Sequence, residues 1–228
     1  MKLKLFLIVI LFSPLYLFGQ KPCPGLPTVS YAGKTYNTVK IGEQCWLKEN
    51  LDVGTKIDIS KDASNNSVIE KYCYNGDPAN CTKYGGLYQW DEAMQYVNTK
   101  GAQGICPSGW HIPTYEEFEL LMSTVNNDGN RLKAVGQGIK DGAGTNSSGF
   151  SLLLSGAAYI SGTGTFGSNF SFFSEKGLFW SSSEGSIYRN PSWFERALYF
   201  FVYNNSREIP RVDLVEKKWA LSVRCLKD

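Results

Sequence analysis

The residues of this chain that are capable of chemistry are one histidine, six cysteines and a pair of adjacent carboxylates. The histidine, His111, lies in a segment that runs from Cys106 to Phe118. A Ser-His-Asp or Cys-His catalytic site would have to use it. The chain contains no G-x-S-x-G, H-E-x-x-H or glycine-rich phosphate-binding motif to support such a site. We therefore predict a structural, hydrogen-bonded role for His111 and no catalytic residue.

The adjacent carboxylates, Glu116 and Glu117, are typical of a helix start rather than of acid-base chemistry. Neighbouring residues on a helix point in different directions, and negative side chains are favourable at the positive helix N-terminus. Thr114 and Glu117 form a capping-box pattern, which predicts a helix beginning at Tyr115. One apolar stripe should then face the core, formed by Phe118, Leu121, Met122 and Val125.

Metal binding is not indicated. One histidine and paired cysteines cannot supply the usual four ligands of zinc. The run Asn126 to Asn130 alternates side-chain oxygens as a calcium loop does. However, Arg131 and Gln137 stand where an EF-hand loop has glycine and glutamate. We interpret the run as a turn that ends the helix, and we expect neither a metal ion nor a cofactor.

Residues 1–19 have the pattern of a secretory signal peptide. Lys2 and Lys4 precede an apolar run that Pro14 interrupts. The pattern predicts export, to the periplasm, the cell surface or the medium, and the apolar run is too short to span a membrane. Removing it leaves 21 basic and 21 acidic residues, because it contains two of the 23 Lys and Arg and none of the 21 Asp and Glu. A chain without net charge or a basic run is not expected to bind nucleic acid. We predict that residues 20–228 form a single domain.

All six cysteines follow the predicted signal, so an oxidising compartment and three disulfides are expected. Six cysteines allow 15 pairings. Only Cys73 with Cys81 is favoured by spacing, since the pair closes a small loop around the turn residues Asn75 to Pro78.

The pattern between these points predicts a mostly extended chain. Tyr31 to Gly42 alternates as a hairpin with a turn at Ala32-Gly33-Lys34, and the polar run from Lys56 to Ser67 is typical of an exposed connection. Asp91 is expected to cap a short second helix. Trp219 to Cys225 should form a closing strand, with one face made of Trp219, Leu221, Val223 and Cys225.

Five ordered segments together resemble the Fibrobacter succinogenes major paralogous domain. They are Val39 to Leu51, Tyr84 to Trp90, Cys106 to Thr114, Trp180 to Glu184, and Ser222 to Cys225. That family is similar to the C-type lectin-like fold. The resemblance implies an α+β domain with two helices, antiparallel sheets, N- and C-terminal strands side by side, a long loop region and disulfides. It also implies a Cys106–Cys225 disulfide, which leaves Cys23 with Cys45.

The resemblance brings no settled chemistry. Calcium-dependent lectins of this fold carry Glu-Pro-Asn or Gln-Pro-Asp and Trp-Asn-Asp triplets, which this chain lacks. A relative of the fold, the formylglycine-generating enzyme group, uses reactive cysteines near its C terminus. Here only Cys225 lies in that region. An oxidative enzyme is therefore the least favoured hypothesis.

Recognition is the favoured function, and the segment from Ser161 to Asn205 is where we expect it. This segment mixes aromatic rings with Ser, Gly, Asn and Arg, as recognition loops do. The candidate ligand-binding residues are Tyr188, Arg189, Asn190 and Trp193, whereas core packing is expected for Phe172, Phe173, Phe179 and Trp180. The sequence thus predicts an exported, non-catalytic recognition or adhesion module for an unknown glycan or surface protein. An envelope structural protein that mediates assembly is the alternative.

Overall fold

The computed structural model describes residues 20–161, 168–185, 195–211 and 213–228. The predicted signal peptide, residues 1–19, lies outside this part of the chain. The strands are β1 (Thr28–Tyr31), β2 (Lys34–Ile41), β3 (Gln44–Leu47), β4 (Thr55–Lys56), β5 (Glu70–Lys71), β6 (Leu87–Gln89), β7 (Trp110–His111), β8 (Ala157–Tyr159), β9 (Asn169–Ser171), β10 (Lys176–Glu184), β11 (Arg196–Tyr203), β12 (Asp213–Glu216), β13 (Trp219–Ser222) and β14 (Leu226–Lys227). The helices are α1 (Pro78–Tyr84), α2 (Trp90–Ala93), α3 (Tyr115–Thr124) and α4 (Gly129–Leu132).

The strands form two main sheets. The first has the order β1-β2-β3-β14-β7, so strands from both ends of the described chain lie side by side. The second has the order β12-β11-β10-β13-β8-β9, with β6 also paired to β13. Most pairs are antiparallel as predicted. The β10–β13 and β4–β5 pairs are parallel, which the expectation of purely antiparallel sheets did not include.

The N-terminal hairpin confirms the prediction from alternation. β1 and β2 pair from Thr28↔Asn37 to Tyr31↔Lys34, and the turn residues Ala32 and Gly33 both have positive φ, at 48° and 79°. Two consecutive positive φ angles are those of a type I′ turn, whose twist matches that of antiparallel strands.

The helices agree with the sequence only in part. α3 begins at Tyr115 with both hydrogen bonds of the capping box present, as predicted, and its apolar stripe is buried. The prediction that Asp91 caps a short helix was wrong. α2 is a single turn that begins at Trp90, its N-cap is Gln89, and Asp91 lies inside it. The second longer helix is α1, which begins at Pro78, the last of the residues from Asn75 to Pro78 that we interpreted as a turn, and which the sequence did not predict. Asp77 accepts a hydrogen bond from the Ala79 amide, and Pro78 occupies the first helical turn.

The closing strand is also divided, contrary to the prediction of one continuous strand from Trp219 to Cys225. β13 belongs to the second sheet and β14 to the first. Between them, the Val223 carbonyl accepts from the Leu51 amide at 2.9 Å, and the Cys225 carbonyl accepts from the Leu47 amide at 3.1 Å. The chain therefore crosses from one sheet to the other here, and both faces of the segment are buried.

Aromatic side chains fill the core between these elements. Trp90 donates its indole N–H to the Ser181 carbonyl at 2.8 Å, and Trp180 donates to the Tyr88 carbonyl at 2.7 Å. These two bonds join β6 and α2 to β10, and both indoles are fully buried. Phe179 is buried as expected, but Phe172 and Phe173 are only half-buried, because they lie beyond the end of β9.

Three disulfides tie the fold together, and their pairing agrees with the expectations. Cys73 bonds to Cys81 across the start of α1. Cys106, before β7, bonds to Cys225, directly before β14, and Cys23 bonds to Cys45 beside the first hairpin. All six cysteines of the chain are therefore oxidised.

Candidate functional site

His111 lies on β7 between two carboxylates, so it is hydrogen-bonded as predicted. Nδ1 is 2.7 Å from Oδ1 of Asp228, and Nε2 is 3.1 Å from both carboxylate oxygens of Glu117. The hydrogen bond to Glu117 raises the pKa of His111, and the bond to Asp228 adds to this rise while burial opposes it. Glu117 also accepts from the Thr114 amide at 2.7 Å, which is its bond in the helix cap, so the contact with His111 is a second role for this carboxylate.

Glu116, next to it, has a different partner. It accepts from Nζ of Lys100 at 2.5 Å on the exposed side of α3. The two glutamates therefore do not converge on one site, as their adjacency in a helix predicted.

The predicted ligand-binding residues Tyr188, Arg189, Asn190 and Trp193 lie outside the described residues. Their segment, 186–194, connects Gly185 to Glu195 in the sequence. The structure shows a cleft next to these two flanking positions, and we treat it as the candidate functional site.

The cleft has a volume of about 360 Å³ and lies where three parts of the chain meet. One wall comes from the polar loop before β5, one from β6 and α2, and one from β12 and the turn after it. The lining residues are Asp62, Ala63, Gln89, Asp91, Glu92, Tyr96, Glu195, Glu216, Lys217 and Lys218. The loop that we predicted to be a simple exposed connection thus contributes to the site.

Lys217 is the centre of the cleft. Its side chain is only 6% exposed, and its ammonium group lies 4.0 Å from the ring centroid of Trp90. It donates to Glu184 and, at 3.2 Å, to Glu195, and it lies 3.5 Å from Asp91. Burial lowers the pKa of this amine, but the hydrogen bond to Glu184 and the other carboxylates outweigh that effect and raise it overall. Lys217 is therefore a fixed cation.

Gln89 fixes the floor of the cleft through a complete set of hydrogen bonds. Its Oε1 accepts from the Ala63 amide at 2.8 Å and from the hydroxyl of Tyr72 at 3.1 Å. Its Nε2 donates to Asp62 at 2.9 Å and to the Lys218 carbonyl at 3.4 Å. One buried side chain thus connects the polar loop to the turn after β12.

Glu92 is a buried carboxylate in the same wall. It accepts from the Glu70 amide at 2.9 Å and from the hydroxyl of Tyr96 at 2.8 Å. Burial raises the pKa of Glu92, and these hydrogen bonds oppose the rise. Burial likewise raises the pKa of Asp91, while Lys217 lowers it.

The cleft has an excess of hydrogen-bond acceptors. Five carboxylates line it against two amines, and Lys217 is already engaged. The Oε2 atom of Glu216 is buried and accepts no hydrogen bond from the described part of the chain. Chemically, the arrangement suits a ligand that donates hydrogen bonds, and it repels anions.

A second, shallower cavity of about 330 Å³ lies beside Cys73. Its walls are the half-buried Ile57, Ile59 and Phe170 with the exposed Asn75. The charged residues in its lining, Lys56 and Asp58, are exposed, and we do not treat it as the primary site.

Within residues 20–161, 168–185, 195–211 and 213–228, no group of three or more His, Cys, Asp or Glu side chains is arranged to hold a metal ion. The run Asn126 to Asn130 begins with the predicted turn after α3, at Asn126 and Asn127, but its last two residues start α4. The carboxylate of Asp128 caps that helix by accepting from the Asn130 amide, and it also accepts from Arg207.

Sequence reasoning missed the cleft because its residues are far apart in the chain. Gln89 and Glu184 lie in two of the segments that carry the family resemblance, and that was the available signal. Nothing in the composition indicated that Asp62 and Glu216 would join them.

The class of protein follows from this architecture: a disulfide-linked α+β domain dominated by curled, mostly antiparallel sheets with a polar cleft at their edge. Within the described residues, no helix is long and apolar enough to cross a membrane. The chain belongs to the Fibrobacter succinogenes major domain family, whose model matches residues 39–227. Comparisons with curated proteins and with solved structures returned no match.

Proposed function

We propose that this protein is an exported, non-catalytic recognition or adhesion module with a C-type lectin-like fold, which binds a glycan or a surface protein. The cleft around Lys217 is the observation that supports the proposal most. Its volume of about 360 Å³ is within the range of small-ligand sites, and its walls are polar groups held by other side chains. Side chains that are already ordered in the free protein lower the conformational entropy cost of binding.

The chemistry of the cleft favours a ligand rich in hydrogen-bond donors. Carboxylate oxygens of Asp62 and Glu216 accept from sugar hydroxyls or from basic protein side chains. Lys218 supplies a donor at the rim. Tyr188 and Trp193 would add ring stacking to the ligand. Their segment lies in the sequence between Glu184 and Glu195, the two glutamates that pair with Lys217.

The test is a binding screen of the protein without residues 1–19 against arrays of glycans and bacterial surface proteins. We expect at least one ligand class to bind, and Glu216→Lys to weaken binding at least tenfold by placing a cation in the cleft. Glu43→Lys is the matched control, because Glu43 is 92% exposed and pairs with Lys40 on the surface. Equal ligand affinity of both variants and the wild type would show that the ligand does not bind in the cleft.

The aromatic part of the proposal needs its own variant. Replacing Tyr188 and Trp193 together by alanine should weaken binding and leave the unfolding midpoint unchanged if these rings contact ligand. A large loss of stability without a specific loss of binding would instead assign them to the core.

An envelope assembly protein is the second candidate, and two exposed side chains favour it. Val135 is 76% exposed and Ile139 is 53% exposed, in the loop after α4. Exposed aliphatic side chains of this kind gain free energy when a partner covers them. Sedimentation velocity should show concentration-dependent association that Val135→Ser with Ile139→Ser abolishes; monomers at all concentrations would exclude this candidate.

The oxidative enzyme requires a reactive cysteine pair. Cys225 is bonded to Cys106, and the four remaining cysteines are bonded to each other. Thiol titration of the native protein should therefore find none, and a titratable pair would revive this hypothesis.

A further inference from the structure

His111 links two elements that are distant in sequence. It pairs with Leu226 across the β7–β14 ladder, and its ring extends to Asp228 on one side and to Glu117, in the first turn of α3, on the other. The His111 side chain is 13% exposed, that of Glu117 is 31% exposed and that of Asp228 is 60% exposed. Asp228 is thus the partner that water reaches most easily.

Both partners of the imidazole are acceptors. A neutral imidazole has one N–H and one lone pair, so it satisfies only one of two carboxylates and turns a lone pair toward the other. An imidazolium ion donates from both nitrogens. The hydrogen bonds from His111 and Thr114 outweigh burial and hold the pKa of Glu117 below its usual range. Glu117 is therefore an anion at neutral pH.

The other charged groups nearby have partners of their own. Lys100 is engaged by Glu116, and Lys227 donates to the backbone carbonyl of Asp228 at 3.4 Å. From β3, the neutral Gln44 donates to the Glu117 carbonyl at 2.9 Å. Glu117 and Asp228 are thus the titratable side chains that contact His111.

We propose that His111 is a pH-dependent latch that, when protonated on both nitrogens, holds the end of β14 to the start of α3. Loss of one proton breaks the weaker contact. Glu117 is the more buried acceptor and is also fixed by Thr114, so the remaining proton stays on Nε2 and Asp228 is released. The end of β14 then opens while the cap of α3 persists.

The sign of the pH dependence follows from linkage. The folded protein holds the proton more tightly than the unfolded chain, because the pKa of His111 is raised above 6.5. The stabilisation is therefore complete below about pH 6.5 and is lost as the pH rises through the folded-state pKa.

Histidine ¹⁵N NMR tests the latch directly, since the chain contains a single histidine. Titration should give a midpoint above 6.5 and deprotonation at Nδ1. Amide exchange at Leu226 to Asp228, corrected for intrinsic rates, should become faster over the same pH interval, while β1 and β2 remain unchanged. A midpoint at or below 6.5, deprotonation at Nε2, or constant protection of β14 would overturn the proposal.

Two conservative variants separate the latch from a general charge effect. Asp228→Asn should lower the midpoint by about one pH unit and remove the pH dependence of exchange at β14. Glu116→Gln removes an adjacent carboxylate that bonds Lys100 instead, and should leave the midpoint unchanged. Equal shifts in the two variants would contradict a specific contact with Asp228.

Discussion

Arg224 is a fully buried cation that pairs with no carboxylate in the described part of the chain. Its Nε and Nη2 donate to Oδ1 of Asn50 at 3.2 and 2.5 Å, and its Nη1 donates to the Phe150 carbonyl. The guanidinium also lies 4.3 Å from the Phe150 ring centroid. A buried charge is tolerated only when such acceptors are complete.

Removing the acceptor of Arg224 should therefore be costly. We expect Asn50→Leu to lower the free energy of unfolding by about 3 kcal/mol, because it leaves a desolvated guanidinium without its main partner. Urea denaturation measures the change. Asn37→Leu is the control, since Asn37 is exposed and bonds the half-buried Glu49, and a loss below about 1 kcal/mol is expected. Similar losses in both variants would contradict this role.

Lys133 is a second buried cation, and it predicts a pH effect of opposite sign to that of His111. Its Nζ donates to the carbonyls of Tyr203 at 2.9 Å and Ser206 at 2.8 Å. Burial lowers its pKa to about 8, with Asp128 and Asp141 opposing. The folded state disfavours this proton, so stability relative to Lys133→Met should rise between about pH 8 and the unfolded value of 10.5.

Denaturation of both proteins at pH 7 and pH 10 measures the difference. A stability difference that does not change between these pH values would show that Lys133 titrates normally.

At the scale of elements, the connection between α1 and β6 depends on Gly85. Its φ is 86°, and a Cβ built there would lie 2.5 Å from Cβ of Asn50 and 2.9 Å from the Leu51 carbonyl oxygen. Gly76 also has a positive φ, 69°, but a Cβ there would meet nothing within 4 Å. The two glycines therefore differ in steric space while both need positive φ.

This difference predicts that alanine at the two positions lowers the stability of the protein by different amounts. Gly76→Ala should cost about 1 kcal/mol from backbone conformation alone, and Gly85→Ala should cost clearly more because the backbone near Asn50 must move. Thermal unfolding of the two variants provides the comparison. A smaller loss for Gly85→Ala would mean that this connection adjusts freely.

Local signals made some elements predictable, and distant contacts made others unpredictable. Thr114 and Glu117 are three residues apart, so the start of α3 is visible in the sequence. Asp77-Pro78 is also a helix-start pattern, with Asp77 as the cap of α1 and Pro78 in its first turn. Both residues are equally common in turns, so the sequence alone did not distinguish the two structures. The split between β13 and β14 depends on backbone bonds to Leu51 and Leu47, which no local pattern reveals.

The cleft likewise depends on contacts between residues that are distant in the sequence. Gln89 reaches Asp62 and the carbonyl of Lys218, over separations of 27 and 129 residues. Such contacts arise from the packing of the sheets and not from the preferences of any one segment. The disulfide pairing was accessible because a family resemblance supplied the long-range information that spacing lacked.

For the whole molecule, the Cys106–Cys225 disulfide is the covalent link that spans the most sequence, and it joins the segment before β7 to the segment before β14. It joins residues 119 apart, whereas Cys73 and Cys81 are 8 apart. Constraint of the unfolded chain grows with loop length, so the long link should contribute about 4 to 5 kcal/mol and the short one roughly 2 to 3.

Paired alanine substitutions test this order. Cys106→Ala with Cys225→Ala should lower the denaturation midpoint more than Cys73→Ala with Cys81→Ala. The reverse order would show that local strain or packing, rather than loop length, decides the effect.

The measurement that tests the central claim most directly is hydrogen–deuterium exchange of the protein with and without the ligand found in the binding screen. The account predicts added protection around Asp62, from Gln89 to Tyr96, and from Glu216 to Lys218, with none at Val135 to Ile139. Protection confined to the Val135 to Ile139 loop, or no change at the cleft under saturating ligand, would contradict it.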